Sequence, residues 1–234
     1  MKSAISSWNW DFITSEINNQ GFSLVSNVLT TNQCNFLNGL YDNTALYRKK
    51  VVMERHRFGL GEYKYFAYPL PQLLQSIREN IYPYLAPIAN SWMNALRTNI
   101  KYPNTLKELH ALCEEKDQTK PTVLILQYKK GGFNTLHQDL YGEVYFPIQM
   151  VLFLSDYGKD YSGGEFVLTE QTPRAQSKAI VLKPQKGDVL LFATNFRPKK
   201  GSRGYYRATM KHGVSEVQRG NRATLGIIFH DALN

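Results

Sequence analysis

Cysteine is scarce: Cys34 and Cys113 are the only two in 234 residues, far apart and without a CxxC pairing. That excludes a disulfide scaffold and a thiolate zinc site. No apolar run reaches the roughly 18 to 20 residues needed to cross a bilayer. Even the stretch from Phe146 to Leu154 is interrupted by Pro147 and Gln149. No apolar segment of the kind a secretory signal carries precedes Asp11, so a cytoplasmic protein with no membrane association is expected. Internal repeats and low-complexity tracts are also missing. Acidic side chains are the minority charge, 19 against 28 basic, for a net of +9. Arg197, Lys199, Lys200, Arg203, Arg207 and Lys211 follow one another with no acid between them. Such a field suits a polyanion, although clustered cations more often mark a solvated loop.

What is present is ordinary globular material, 43% hydrophobic and 20% charged. The length fits a single domain over 1–234. Up to about residue 120 the pattern is helix-rich. Trp8, Phe12, Ile13 and Ile17 share one side of a helix that Gly21 can close. Thr30 or Thr31 can cap a second helix, carrying Cys34, Phe36, Leu37 and Leu40. Pro71 suits the first turn of a third, with Leu73, Leu74, Ile77 and Ile81 on its buried side. Pro83 and Pro87 are expected to kink or divide it before Trp92. Leu106 to Cys113 forms a last short helix.

From 121 to 234 the texture changes to short β-branched and aromatic runs broken by Gly, Pro, Asn and Asp. These predict six or more strands in an antiparallel barrel or sandwich, the catalytic core, with the helices of 1–120 supporting one outer face. The fold class is therefore α+β.

His137 and Asp139 stand two apart, so on an extended chain both side chains point the same way and can bind one ion. They follow Gly131 and Gly132 after a strong strand, where a strand meets its loop. His212 occupies a second strand end, KHGVSEV, followed by a glycine that permits close packing. By itself it is equally readable as a hydrogen-bonded core histidine. Two imidazoles and one carboxylate make the facial triad of non-haem Fe(II), which leaves neighbouring coordination positions open. A 2-oxo acid can fill two of these and O2 the third.

Arg222 opens the apolar strand RATLGIIF, whose alternation places Arg222, Thr224, Gly226 and Ile228 on one face. A guanidinium entering a barrel needs an anion. The distal carboxylate of 2-oxoglutarate suits its planar fork, with the Thr224 hydroxyl beside it. An internal salt bridge with Asp188 is the alternative.

From about Pro121 onward, the order YKKGGFNTLHQDLYG, FPIQMVLFLSD, GGEFVL, KGDVLLF, KHGV and RATLGIIFHDA resembles the Fe(II)/2-oxoglutarate-dependent dioxygenase superfamily, prolyl-hydroxylase-like branch. More closely, HQDLYGE, GGEFVLTEQ, RGYYRATMKHGVSEV and TLGIIFHDA, with GLGEYKYFAYPLP upstream, resemble the bacterial 2OG-Fe(II) oxygenases called nucleic-acid oxygenases. The resemblance implies a double-stranded β-helix, a jelly-roll or cupin-like barrel. It implies Fe(II) at His137, Asp139 and His212, and 2-oxoglutarate held by Arg222. Tyr128 matches the tyrosine that hydrogen-bonds the cosubstrate in prolyl hydroxylases. Those enzymes commonly carry lysine where Arg222 stands, so their peptide substrates are not carried over. The implied reaction couples decarboxylation of 2-oxoglutarate to hydroxylation or oxidative demethylation. Nucleic acid leads as substrate, ahead of protein or a small molecule, and a non-catalytic metal-binding sensor barrel is the competing class.

Residues for the substrate come from the expected mouth. Tyr141 follows the metal pair directly and can either lie beside the reacting group or pack a loop. Arg55, Arg57, Phe58, Tyr63, Lys64, Tyr65 and Phe66 alternate basic and aromatic groups around Gly59 and Gly61. They can pair phosphates with base-stacking surfaces, or form a glycine-turned hairpin with its aromatics in the core. Arg197 and Arg203 are candidates for a basic rim.

Overall fold

The computed structural model describes residues 5–233. Four α-helices with both ends among the described residues lie in the N-terminal half. In α1 (Trp10–Gln20) the Asn9 side chain accepts from Phe12 N, and Gly21 closes the helix in the left-handed conformation, φ 84°. Helices α2 (Thr31–Gly39) and α4 (Leu106–Glu114) both open with a capping box, Thr30 with Gln33 and Thr105 with Glu108. The 24-residue α3 (Gln72–Ala95) runs through Pro83 and Pro87 as one helix, so of the expected kink or division the division does not occur. Each proline costs about 3 kcal/mol, but burial of each large apolar side chain returns about 1.5 to 3. Ile81, Tyr82, Leu85, Ile88 and Trp92 are all buried around those prolines, which decides the balance.

In chain order the strands are β1 (Phe22–Val25), β2 (Tyr47–Val52), β3 (Gly59–Leu60), β4 (Glu62–Phe66), β5 (Leu124–Tyr128), β6 (Phe133–His137), β7 (Ile148–Phe153) and β8 (Tyr161–Gly163). They continue with β9 (Phe166–Gln171), β10 (Lys178–Leu182), β11 (Val189–Ala193), β12 (Phe196–Gly201), β13 (Gly204–Val214), β14 (Val217–Gly220) and β15 (Arg222–Ile227). A seven-stranded sheet has the order β1-β11-β7-β15-β5-β4-β2, and a smaller one β10-β9-β13-β6-β3 with β12 on β13. All these pairings are antiparallel. Strands β1, β2 and β4 come from the region expected only to support the barrel, so that region also builds the larger sheet.

Strand alternation sorts the side chains between the two faces of the larger sheet. Met150, Leu152, Ala223, Leu225 and Ile227 join the helices in the main hydrophobic cluster. Their neighbours Val151 and Phe153 join Phe166, Leu168, Leu190 and Phe192 in a second cluster between the sheets. The helices thus cover one face of the larger sheet, while its other face and the smaller sheet enclose the interior. No helix among the described residues is long and apolar enough to cross a membrane.

Candidate active site

Two strands of the smaller sheet bring the metal pair and the second histidine together. His137 ends β6, and the register of β13 sets His212 directly opposite it. A bulge follows between His212 and Val214, where a Cβ on Gly213 would meet Asn134 O at 2.7 Å, so only glycine permits this approach. His212 Nε2 lies 3.3 Å from Asp139 Oδ2 and His137 Nε2 3.7 Å from Asp139 Oδ1. The three candidate donor atoms lie within 4.8 Å of one another.

Each donor is oriented from behind. His137 Nδ1 is 2.8 Å from Thr135 O; donating a proton there leaves Nε2 as the lone pair facing Asp139. Gln149 Nε2 is 3.5 Å from His212 Nδ1, while Gln149 Oε1 is buried without a partner. A half-turn of that amide satisfies Oε1 with the Nδ1 proton and frees His212 Nε2 for a cation. Tyr141 Oη donates to Asp139 Oδ1 at 2.5 Å and accepts from Tyr65 Oη at 3.0 Å. Phe166 stacks on His212 at 5.9 Å and Phe192 meets it edge-on at 5.0 Å, a dry wall on that side.

Electrostatics agree with a cation site. Burial opposes ionisation of Asp139, but the His212 hydrogen bond and the positive fields of both histidines hold its carboxyl far below the usual range. Burial, followed by repulsion from His137, lowers the pKa of His212, against the raising effect of Asp139. A divalent first-row metal binds such a donor set as a carboxylate with neutral imidazoles, displacing any ring proton on the coordinating nitrogens.

Arg222 enters the same cavity, of about 210 Å³, from β15 on the larger sheet. It is 1% exposed. Its Nη1 reaches Thr224 Oγ1 at 3.3 Å, and its Nε has no hydrogen-bond partner. The guanidinium carbon lies 5.5 Å from the Tyr128 ring, 5.8 Å from Phe153 and 6.0 Å from Tyr161. No carboxylate pairs with it among the described residues. Asp188, the alternative partner, is engaged elsewhere: it accepts from Asn27 N and Gln185 N and fixes a turn. A buried, half-satisfied cation in an aromatic cage is chemically suited to an anionic ligand.

The other expected residues divide. Tyr141 lines the cavity, but its hydroxyl orients Asp139. Arg55, Arg57 and Arg203 are exposed. Arg197, expected on a basic rim, is instead 5% exposed and bound through Nε to Glu170 Oε2 at 2.7 Å, with Lys199 Nζ on Oε1 at 2.6 Å. Two of the cations in the basic run are therefore spent on one buried carboxylate. Gln149 and the orienting role of Tyr65 are absent from the sequence expectations. A lone polar residue in the buried strand IQMVLF was the available signal for Gln149; the pairing of Tyr65 with Tyr141 had none, since the two are far apart in the chain.

Comparison with known proteins gives a consistent picture. The profile of the Oxygenase-NA family, described as an oxygenase catalysing oxidative methylation of damaged DNA, matches residues 61–232. An uncharacterized protein of Mycobacterium tuberculosis is 39% identical over 193 residues, covering 80% of this chain and 83% of that one. Among solved structures, a Pseudomonas putida prolyl-4-hydroxylase superposes with a TM-score of 0.55 at 12% identity, covering 95% of this chain and 98% of the other. A 2OG-Fe(II) family oxidoreductase from Burkholderia pseudomallei gives 0.55 at 12% identity, with 97% and 94% covered. A Trichoplax adhaerens prolyl hydroxylase in complex with a hypoxia inducible factor peptide gives 0.55 at 16%, with 98% and 91% covered. At these identities the solved structures establish the double-stranded β-helix fold.

Proposed function

The chain belongs to the Oxygenase-NA family of 2-oxoglutarate- and Fe(II)-dependent oxygenases, and from that premise we propose that His137, Asp139 and His212 hold its iron while Arg222 and Thr224 receive 2-oxoglutarate. The protein is an oxidoreductase of the dioxygenase class. When bound, Fe(II) and 2-oxoglutarate supply oxidation of a substrate C–H bond by O2, with succinate and CO2 as co-products.

The chain's own residues perform the positioning. Asp139 neutralises part of the metal charge, and Tyr141 with Tyr65 fixes its carboxylate plane. Thr135 O and the Gln149 amide set the tautomers of the two histidines. Arg222 would receive the distal carboxylate, with the Tyr128 ring packed alongside the guanidinium. The apolar wall of Phe166 and Phe192 keeps bulk water from the reacting centre. The observation that carries this reading is Arg222: buried, without a carboxylate partner, and in the same cavity as three convergent metal donors.

For the substrate we favour a nucleic acid, on the family description and the net charge of +9. A single C-hydroxylation leaves the oxygen in place; on an N-methyl carbon the product breaks down to formaldehyde and the demethylated base. A protein or small molecule is the second candidate. A cytoplasmic location belongs to the same reading. The test is mass spectrometry of nucleic acids and proteins exposed to anaerobically iron-loaded protein, 2-oxoglutarate and then air. A gain of one oxygen or loss of a methylene on an oligonucleotide is the expected result. Succinate that never forms, with any substrate or without one, refutes the iron-site assignment, and modification of proteins alone refutes the nucleic-acid preference.

A further inference from the structure

The stretch that alternates basic and aromatic residues from Arg55 to Phe66 splits into two halves. Tyr65 and Phe66 are buried, 7% and 0% exposed, and belong to β4. Arg55, His56, Arg57 and Phe58 are all exposed. They sit on a 3-10 turn, Met53–His56, that ends with Arg57 in the left-handed conformation, φ 58°.

This lobe is held firmly. Met53 N donates to Gly61 O at 3.0 Å and Phe58 N to Met53 O at 3.1 Å. Phe58 O accepts from both the backbone N and the hydroxyl of Thr135, each at 2.9 Å. Gly59, at φ 137°, lies so close to β6 that a Cβ would collide with the Phe133 carbonyl oxygen. Phe58 is thereby fixed at the cavity lip, lining the cavity while 45% exposed. The His56 ring stacks on it, centroids 5.3 Å apart and planes 22° apart. Leu60 and Phe133, paired across β3 and β6, extend the apolar surface at 38% and 37% exposure.

Scattered exposed apolar residues need no account, but a rigid cluster at a pocket mouth marks a binding surface. Its chemistry is specific: planar rings flanked by two arginines that form no ion pair among the described residues. The neighbouring Glu54 carboxylate is turned back to the lobe, accepting from Gly61 N at 3.4 Å. An apolar peptide would use the rings and leave both cations idle; a nucleic-acid strand uses both. A duplex hides its base faces, so only an unpaired base can stack here, and a target must leave its stack to approach donors lining an enclosed cavity.

We propose that His56 and Phe58 form a stacking platform for an unpaired nucleobase beside the oxidised position, with Arg55 and Arg57 receiving its flanking phosphates. This rests on the oxygenase reading of the pocket. The test uses the full chain loaded with Fe(II) and 2-oxoglutarate without oxygen, and single-stranded DNA and RNA of roughly 12 nucleotides containing 2-aminopurine. Binding should quench the fluorophore and weaken with salt. H56A/F58A should lower affinity about tenfold and remove the quench while keeping the salt slope, and Phe58→Trp with His56 intact should retain binding. R55Q/R57Q should flatten the slope of log K against log salt by about 1.4, the value for two single-strand phosphate contacts. Undiminished oligonucleotide affinity in H56A/F58A overturns the platform, as does binding of duplex as tight as single strand or a preference for acidic peptides. Wild-type protein that forms no succinate in air fails at the iron site instead, so the two failures are separable.

Discussion

Two arginines are almost completely removed from water, and they are satisfied in opposite ways. Arg78 on α3, 0% exposed, donates to Ile228 O, Phe229 O, the Tyr68 hydroxyl and Asp231 Oδ1, the last at 2.9 Å. Arg222 on β15, 1% exposed, bonds Thr224 Oγ1 at 3.3 Å, interacts with Tyr161 and leaves its Nε without a hydrogen-bond partner. Burial is the same, so burial alone says nothing about role. Partners differ: the first guanidinium is complete within the protein and ties α3 to the C-terminal segment, whereas the second pairs with no carboxylate among the described residues and keeps a partnerless Nε.

The comparison breaks most sharply at Arg78. Arg78→Ala leaves the buried Asp231 carboxylate without its guanidinium, with only the Tyr68 hydroxyl donating to its oxygens, and should cost about 3 to 5 kcal/mol in urea unfolding, whereas R78M/D231L should recover much of that loss. A single variant as stable as wild type would remove the distinction. Next, Arg222→Met should leave stability unchanged or raised, because an unpaired buried charge is lost, yet lower 2-oxoglutarate turnover about 100-fold. Arg222→Lys should fall between, keeping the charge without the planar fork. Succinate assays and thermal melts on the same preparations decide it; lost stability with intact turnover would reverse the roles.

A smaller effect is expected behind the metal donors. Tyr141→Phe removes the hydrogen bond to Asp139 Oδ1 and should weaken Fe(II) affinity about tenfold, measured by anaerobic titration, with melting of the metal-free protein little changed. The smallest concerns the internally completed class of charge. Burial opposes ionisation of Glu170, but the Lys199 hydrogen bond and the Arg197 charge outweigh it and depress the carboxyl pKa. Its stabilising contribution is therefore full above the unfolded value of about 4.3 and lost as pH falls through the lower folded value. The gap in melting temperature between wild type and E170Q should narrow from about pH 5 to pH 3. A gap that widens on acidification would contradict the pairing.

Much of this was legible in the chain. Period-two alternation assigned Arg222 and Thr224 to one face and Leu225 to the other, and the i, i+2 spacing of His137 and Asp139 signalled a shared direction, because strand geometry is local. The cap at Thr30, one of the two threonines expected there, is likewise a short-range hydrogen bond. Arg197 was misplaced because its partner, Glu170, lies on another strand, and a run of cations looks the same whether solvated or paired. The helix continues undivided past Pro83 for a related reason: local backbone preference was outweighed by the side chains buried on either side of it.

The sequence by itself determined the chemical types at the site, the strand faces that carry them and the excess of positive charge, since each depends on neighbours a few residues away. Only the tertiary structure decided that His212 meets His137 in register, that Arg222 is left without a carboxylate while Arg78 is not, and that Phe58 stays at the lip while Tyr65 turns inward. Those outcomes are set by long-range pairing and by competition for a few buried partners, which no local pattern encodes.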